Sequence, residues 1–153
     1  MEMCPFCRRK AEGLCRRCSK RWVFDKIHGL YRLKMRARVR HKGQMKLTRT
    51  CRRIFPDLRV LQEVAFLDLV SDKGALLRYD IAVPEFRILI EYHGCTKFAK
   101  FIHRTLARWN RAKLHDDLKK SYAKENEWAF VCFTHRDKIG DESLVKRRIA
   151  RYA

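Results

Sequence analysis

Acidic residues are missing from a long stretch of this chain: none occurs between Asp25 and Asp57. Proline and glycine are scarce too, three and six among 153 residues, and there is no low-complexity tract or internal repeat. No apolar run approaches the roughly 20 residues that a membrane helix needs, so no membrane role is expected. These absences leave a globular composition, 46% hydrophobic, long enough for one compact domain with a small appendage. The N-terminus, MEMCPFCRRK, has cysteines and arginines where a secretory signal would carry its apolar core. The expected setting is intracellular, in the cytoplasm.

Where acids are missing, bases accumulate. Residues 1–53 carry 18 Lys and Arg against three acids (Glu2, Glu12 and Asp25), whereas residues 54–153 carry 19 against 14. The formal charge of +20 is therefore concentrated in the first third, and YRLKMRARVRHKGQMKLTRTCRR alone holds ten bases. Such a segment repels itself unless a polyanion lies alongside. Nucleic acid is the usual polyanion, and each phosphate neutralised releases condensed counterions. Arg32, Lys34, Arg36, Arg38, Arg40, Lys42, Arg52 and Arg53 are the candidate contacts. The competing readings are a solvated basic face with no partner, and a membrane-surface helix. The second is disfavoured, because Arg and Lys alternate too densely to leave a clean apolar face.

Seven cysteines fall into two groups. Cys4, Cys7, Cys15 and Cys18 form CPFC-x7-CRRC, two Cys-x-x-Cys pairs that can each turn two thiolates to one side and together complete a tetrahedral zinc site. So short a segment has almost no core, so the metal would supply its folding free energy. Four protein ligands leave no open position, which makes this zinc structural. Disulfides or a redox pair are the alternatives, less suited to an intracellular, arginine-flanked setting. Cys132, inside WAFVCF, reads as packing, and Cys51 and Cys95 carry no assignment.

The remaining pattern predicts helix over about 22–45, with Gly29 as a break, and a second helix starting at Pro56 and burying Leu58, Leu61 and Val64. AFLDLV, ALLRYDIAV and FRILIEY read as strands joined by SDKG and Pro84-Glu85 turns, so they should be antiparallel neighbours. A helix over about 103–126, the strand EWAFVCF and a basic helix over 143–152 follow. The expectation is an α/β domain with a mixed sheet flanked by helices. It divides into a zinc knuckle (1–20), a basic helical arm (21–53) and an α/β core (54–153).

Asp80 and Glu91 lie at similar distances on either side of Pro84-Glu85, so cross-strand adjacency is plausible by count. Two adjacent carboxylates repel, and a divalent cation, magnesium or manganese, is the natural remedy. Glu63 can add a third carboxylate or a water-mediated contact. His93 and Lys97 offer a proton carrier and a fixed positive charge. Phosphodiester hydrolysis needs such parts: activated water, charge stabilisation and a proton donor for the leaving group. Taken singly, each residue has a plainer reading. Asp80 or Glu91 can be half of an ion pair with Arg78 or Arg87, His93 a satisfied strand-end residue, and Glu63 or Lys97 surface.

The order Glu63…Asp80…Glu91-x-His93 resembles the PD-(D/E)xK nuclease superfamily, with histidine where its lysine usually stands. YDIAVPEFRILIEYHGC is similar to the core of very short patch repair endonucleases and their phage and homing-endonuclease relatives, and Trp109, HDDLKK and ENEWAFVCF continue the likeness over roughly residues 58–135. The resemblance implies a restriction-endonuclease-like fold and metal-dependent cleavage of DNA. Asp80 takes the place of the metal-binding aspartate, His93 that of the histidine in the HGC turn, and Glu91 that of the wider superfamily's glutamate. Asp116 and Lys119 fit an Asp-x-x-Lys on the following helix. The repair enzymes' second histidine is replaced by Lys97-Phe98, so neither mismatch recognition nor the general base carries over.

The expected function is thus a metal-dependent DNA endonuclease of homing, phage or repair type. Its alternatives are a nuclease for junctions or flaps and a non-catalytic zinc-ribbon binder of nucleic acid, with an RNA-associated zinc protein as a third view. A homodimer is the arrangement that one site per chain needs for concerted cutting of both strands.

Overall fold

The computed structural model describes residues 4–7, 13–34, 41–94 and 105–152. In chain order these form α1 (Arg16–Ser19), β1 (Trp22–Asp25), β2 (Leu30–Leu33), α2 (Lys42–Ile54), β3 (Leu61–Val70), β4 (Leu76–Val83), β5 (Ile88–His93), α3 (Leu106–Glu125), β6 (Ala129–Thr134) and α4 (Glu142–Tyr152). The six strands make one sheet in sequential order, antiparallel throughout except for the parallel pair β5–β6. The expected α/β mixed sheet is present. Among the described residues no helix is long and apolar enough to cross a membrane.

Two layers cover the sheet. On one face Ile81, Val83, Ile88, Ile90, Val131 and Phe133 pack with Leu47 and Cys51 of α2 and with Val145 and Ile149 of α4. On the other, Val64, Phe66, Leu77, Tyr79 and Leu89 pack with Ala123 and Leu118 of α3. Strand β5 is apolar at successive positions because Ile88, Leu89 and Ile90 are buried on alternating sides between β4 and β6. Each such side chain contributes about 1.5–3 kcal/mol of burial, so the end of β5 is held rigidly. Helix α3 buries little of its own surface. It is tied down instead by Tyr79 Oη donating to the Lys119 carbonyl at 2.7 Å and Tyr122 Oη donating to Asp68 at 2.7 Å.

Three expectations need correction. The helix expected from residue 22 is the hairpin β1–β2. Asp25 accepts from the Ile27 and His28 amides at 3.1 and 3.3 Å, and Gly29 takes a left-handed φ of 64° in the turn. The helix expected from Pro56 is absent: α2 ends at Ile54, Pro56 lies in a turn, and Leu61 and Val64 belong to β3. Glu63 is therefore a strand residue. Nor is 21–53 a separate arm where it is described, because β1–β2 extends the sheet and α2 supplies core residues. Its helical part is real but begins only at Lys42.

Candidate functional site

The β4–β5 pairing runs from Val83↔Ile88 to Ile81↔Ile90. At the next pair the carboxylates of Asp80 and Glu91 take over from the ladder: the Tyr92 amide donates to Asp80 Oδ2 at 2.8 Å, and the Asp80 amide donates to Glu91 Oε1 at 3.3 Å. Strand β4 and its other neighbour β3 lose their simple alternation here. Leu77 and Tyr79 face α3 but Ile81 faces α2, and Leu61 and Val64, three residues apart, share the α3 face. Between them Glu63 has φ +52°, a conformation costing an ordinary residue about 1–2 kcal/mol. Its carboxylate is held by Gln44 Nε2 at 2.7 Å and Arg78 Nη1 at 3.2 Å. Gln44 also donates to the Asp80 carbonyl at 3.3 Å, so the start of α2 is anchored to the same spot.

Lys119 reaches in from α3, its ammonium 2.8 Å from Glu91 Oε1 and 5.7 Å from the Tyr79 ring centre. His93 Nε2 lies 4.0 Å from Glu91 Oε2. Burial, then the neighbouring Glu91 charge, pushes the Asp80 carboxyl up to about 7, although the Tyr92 amide and Lys119 pull the other way. Beside these groups opens a cavity of about 370 Å³ lined by Glu63, Arg78, Asp80, His115, Asp116 and Lys119 among others. Asp72, in the β3–β4 turn, holds its α3 side through His115 at 3.2 Å and Arg111 at 3.3 Å.

Asp80, Glu91, His93 and Glu63 are thus brought together, and neither central acid is paired with Arg78 or Arg87. Lys97 lies outside the described residues, as do Arg36, Arg38, Arg40 and Cys95. Lys119 was legible as part of an Asp-x-x-Lys pattern, but its ion pair with Glu91 was not. Nothing in the sequence marked Gln44 or Arg78 as partners of Glu63.

The donor set fits a hard cation in one respect. Glu91 is only 3% exposed, and among the described residues Asp80 Oδ1 accepts no hydrogen bond, while Glu91 Oε2 faces His93 Nε2 at 4.0 Å. Magnesium commonly uses one or two carboxylates and retains water.

The four N-terminal cysteines do gather. Their Sγ atoms all lie within 4.8 Å of one another, and they are the one such group of three or more His, Cys, Asp or Glu ligands among the described residues. Tetrahedral zinc with sulfur at about 2.3 Å needs sulfurs about 3.8 Å apart; Cys7 and Cys15 stand at 3.4 Å, and all four thiols are free of disulfides. Burial opposes ionisation of Cys4, but amide donors from Cys15, Cys7 and Phe6 outweigh it and lower the thiol to about 6. Cys18 is pushed up, by burial and then by the crowding of the other sulfurs. A cluster that cannot ionise completely alone is suited to a divalent metal such as zinc. The module sits against the sheet through Phe6, stacked on Trp22 at 4.3 Å and edge-on to Tyr31 at 5.2 Å. Arg78 lies 5.6 Å from the Trp22 ring centre, so one side chain reaches both Glu63 and the β1 residue on which Phe6 stacks.

Compared with protein-family models, curated proteins and solved structures, the chain matches none.

Proposed function

We propose that this protein is a metal-dependent DNA endonuclease with a restriction-endonuclease-like core of PD-(D/E)xK type. The observation that carries this reading is the fork between β4 and β5, where the carboxylates of Asp80 and of the buried Glu91 meet at neighbouring positions beside a fixed ammonium. Asp80 and Glu91 would hold magnesium or manganese, with Glu63 and Asp116 within the same locality to accept from its waters. Such an ion, when bound, supplies positive charge and an acidified water. Lys119 keeps a positive charge at the place where a phosphodiester oxygen gains negative charge. His93, beside Glu91, is positioned to carry a proton between that site and solvent. The zinc-type module and the basic surface hold the duplex through its phosphates, which positions it without reading its sequence.

A non-catalytic zinc-ribbon binder of nucleic acid is the second reading. It is favoured by Lys119 already neutralising Glu91, and by the absence, among the described residues, of three carboxylates with oxygens within 4.8 Å. Supercoiled plasmid and branched duplexes, incubated with magnesium or with chelator, separate the two. The endonuclease reading expects magnesium-dependent nicking or cutting that Asp80→Asn and Glu91→Gln reduce at least 100-fold while DNA binding persists. Binding with no cleavage of any substrate supports the second reading instead.

A further inference from the structure

Helix α2 leads away from the carboxylate fork with cations on its solvent side. Gln44 touches Glu63, and Lys46, Arg49 and Arg53 follow at intervals of three and four residues, which places them along one exposed face. At 1.5 Å per residue this row runs about 10 Å from Lys46 to Arg53. The loop between β6 and α4 closes a second wall opposite it. Lys46, Arg49, Arg53, Lys138, Gly140 and Asp141 line a cavity of about 650 Å³. Lys138 adds a cation from that loop. Gly140 permits the approach, since a Cβ there would stand 2.8 Å from Lys46 Cε.

The acids nearby do not neutralise this row. Asp141 accepts the Leu144 amide at 3.1 Å, at the start of α4. Glu142 pairs with Arg53. Among the described residues no carboxylate pairs with Lys46, Arg49 or Lys138. Three uncompensated cations lining a groove, in a chain of net charge +20, form a site for a regularly spaced polyanion.

We propose that the groove between α2 and the β6–α4 loop is a phosphate-binding track for the backbone of duplex DNA, with Lys46, Arg49 and Lys138 as its contacts. It deepens the nuclease reading by giving the duplex a second hold that starts two residues beyond the Gln44–Glu63 contact. Contacts of this kind bind any sequence and contribute through counterion release.

The test is fluorescence anisotropy of the full, zinc-loaded chain with a labelled 25-base-pair duplex. It is run in magnesium-free buffer across a salt series, so that the outcome does not depend on cleavage. Lys46→Gln/Arg49→Gln/Lys138→Gln should weaken binding at least tenfold at low salt and flatten the slope of log affinity against log salt by about 2–3, at about 0.9 per phosphate contact. The loss should be equal on unrelated sequences, and the thermal midpoint should stay at the wild-type value because all three side chains are exposed. Gly140→Ala, which displaces the Lys46 side chain, should produce a smaller loss of the same kind. An unchanged slope in the triple variant, no binding of duplex by the wild type, or a clear preference for single-stranded RNA in competition would each overturn the proposal. A wild type that binds with the expected slope but never cuts DNA counts against the nuclease reading and leaves the track standing.

Discussion

Asp80 is an acid kept uncomfortable by its surroundings. Its carboxyl is raised to about 7 from an unfolded value of about 3.9, so above pH 7 the native state bears a buried charge that the unfolded chain carries at no cost. That penalty is complete above the folded value and vanishes as pH falls toward the unfolded one. In chelator, Asp80→Asn should therefore be more stable than wild type at pH 8, by on the order of 1–3 kcal/mol. The difference should shrink steadily between pH 7 and pH 4 in denaturant titrations; a pH-independent difference would show that Asp80 ionises normally. Glu91 presents the opposite case. Its ion pair with Lys119 has 4% and 11% of the two side chains exposed, so Lys119→Met leaves a buried charge uncompensated and should cost about 3–5 kcal/mol. Adding Glu91→Gln should restore most of that loss, and a single variant as stable as wild type would mean the pair contributes little.

At the scale of elements, α2 and the cysteine module decide how the fork is framed. A Cβ on Gly43 would stand 2.2 Å from Tyr92 Cε1, and Tyr92 follows Glu91 on β5. Gly43→Ala should force α2 away from the strand end and destabilise by about 1–3 kcal/mol, despite the better helix propensity of alanine; unchanged unfolding would show that the ring simply swings aside. The cysteines should hold one zinc per chain. Chelation, or Cys4→Ser, should release it and abolish the near-ultraviolet signal of Trp22, which stacks on Phe6. Far-ultraviolet signal from the remaining helices should largely survive, and zinc affinity should fall as pH drops because the thiols must ionise to bind. Retained metal after Cys4→Ser would remove that cluster as the site.

Across the whole molecule, what could be read in advance depended on the range of the interactions involved. The SDKG turn, the strands around Pro84-Glu85 and the apolar strand at 129–134 follow from local turn chemistry and apolar runs, and the Asp80–Glu91 adjacency followed from counting around one turn. The β1–β2 hairpin was hidden because Trp22–Leu33 sits at the start of a lysine- and arginine-rich stretch whose helix propensity is high, while its strand pairing with Ala65 and Phe66 is long-range. Glu63 was placed on a helix because the Leu58, Leu61, Val64 spacing also suits a strand whose alternation slips at a left-handed residue. The Lys119–Glu91 pair depends on how α3 docks, and the Arg78–Glu63 pair on the irregular β3–β4 register beside the left-handed Glu63, neither of which a local pattern encodes.

Convergence of two carboxylates on one hard cation is what the functional reading rests on, and manganese binding followed by electron paramagnetic resonance on the zinc-loaded chain tests it without recourse to activity. The account predicts Mn²⁺ bound at a site that competes with Mg²⁺ and is lost in both Asp80→Asn and Glu91→Gln, with zinc content unchanged. Manganese that stays free in the wild type, or binds equally well to both variants, would contradict it.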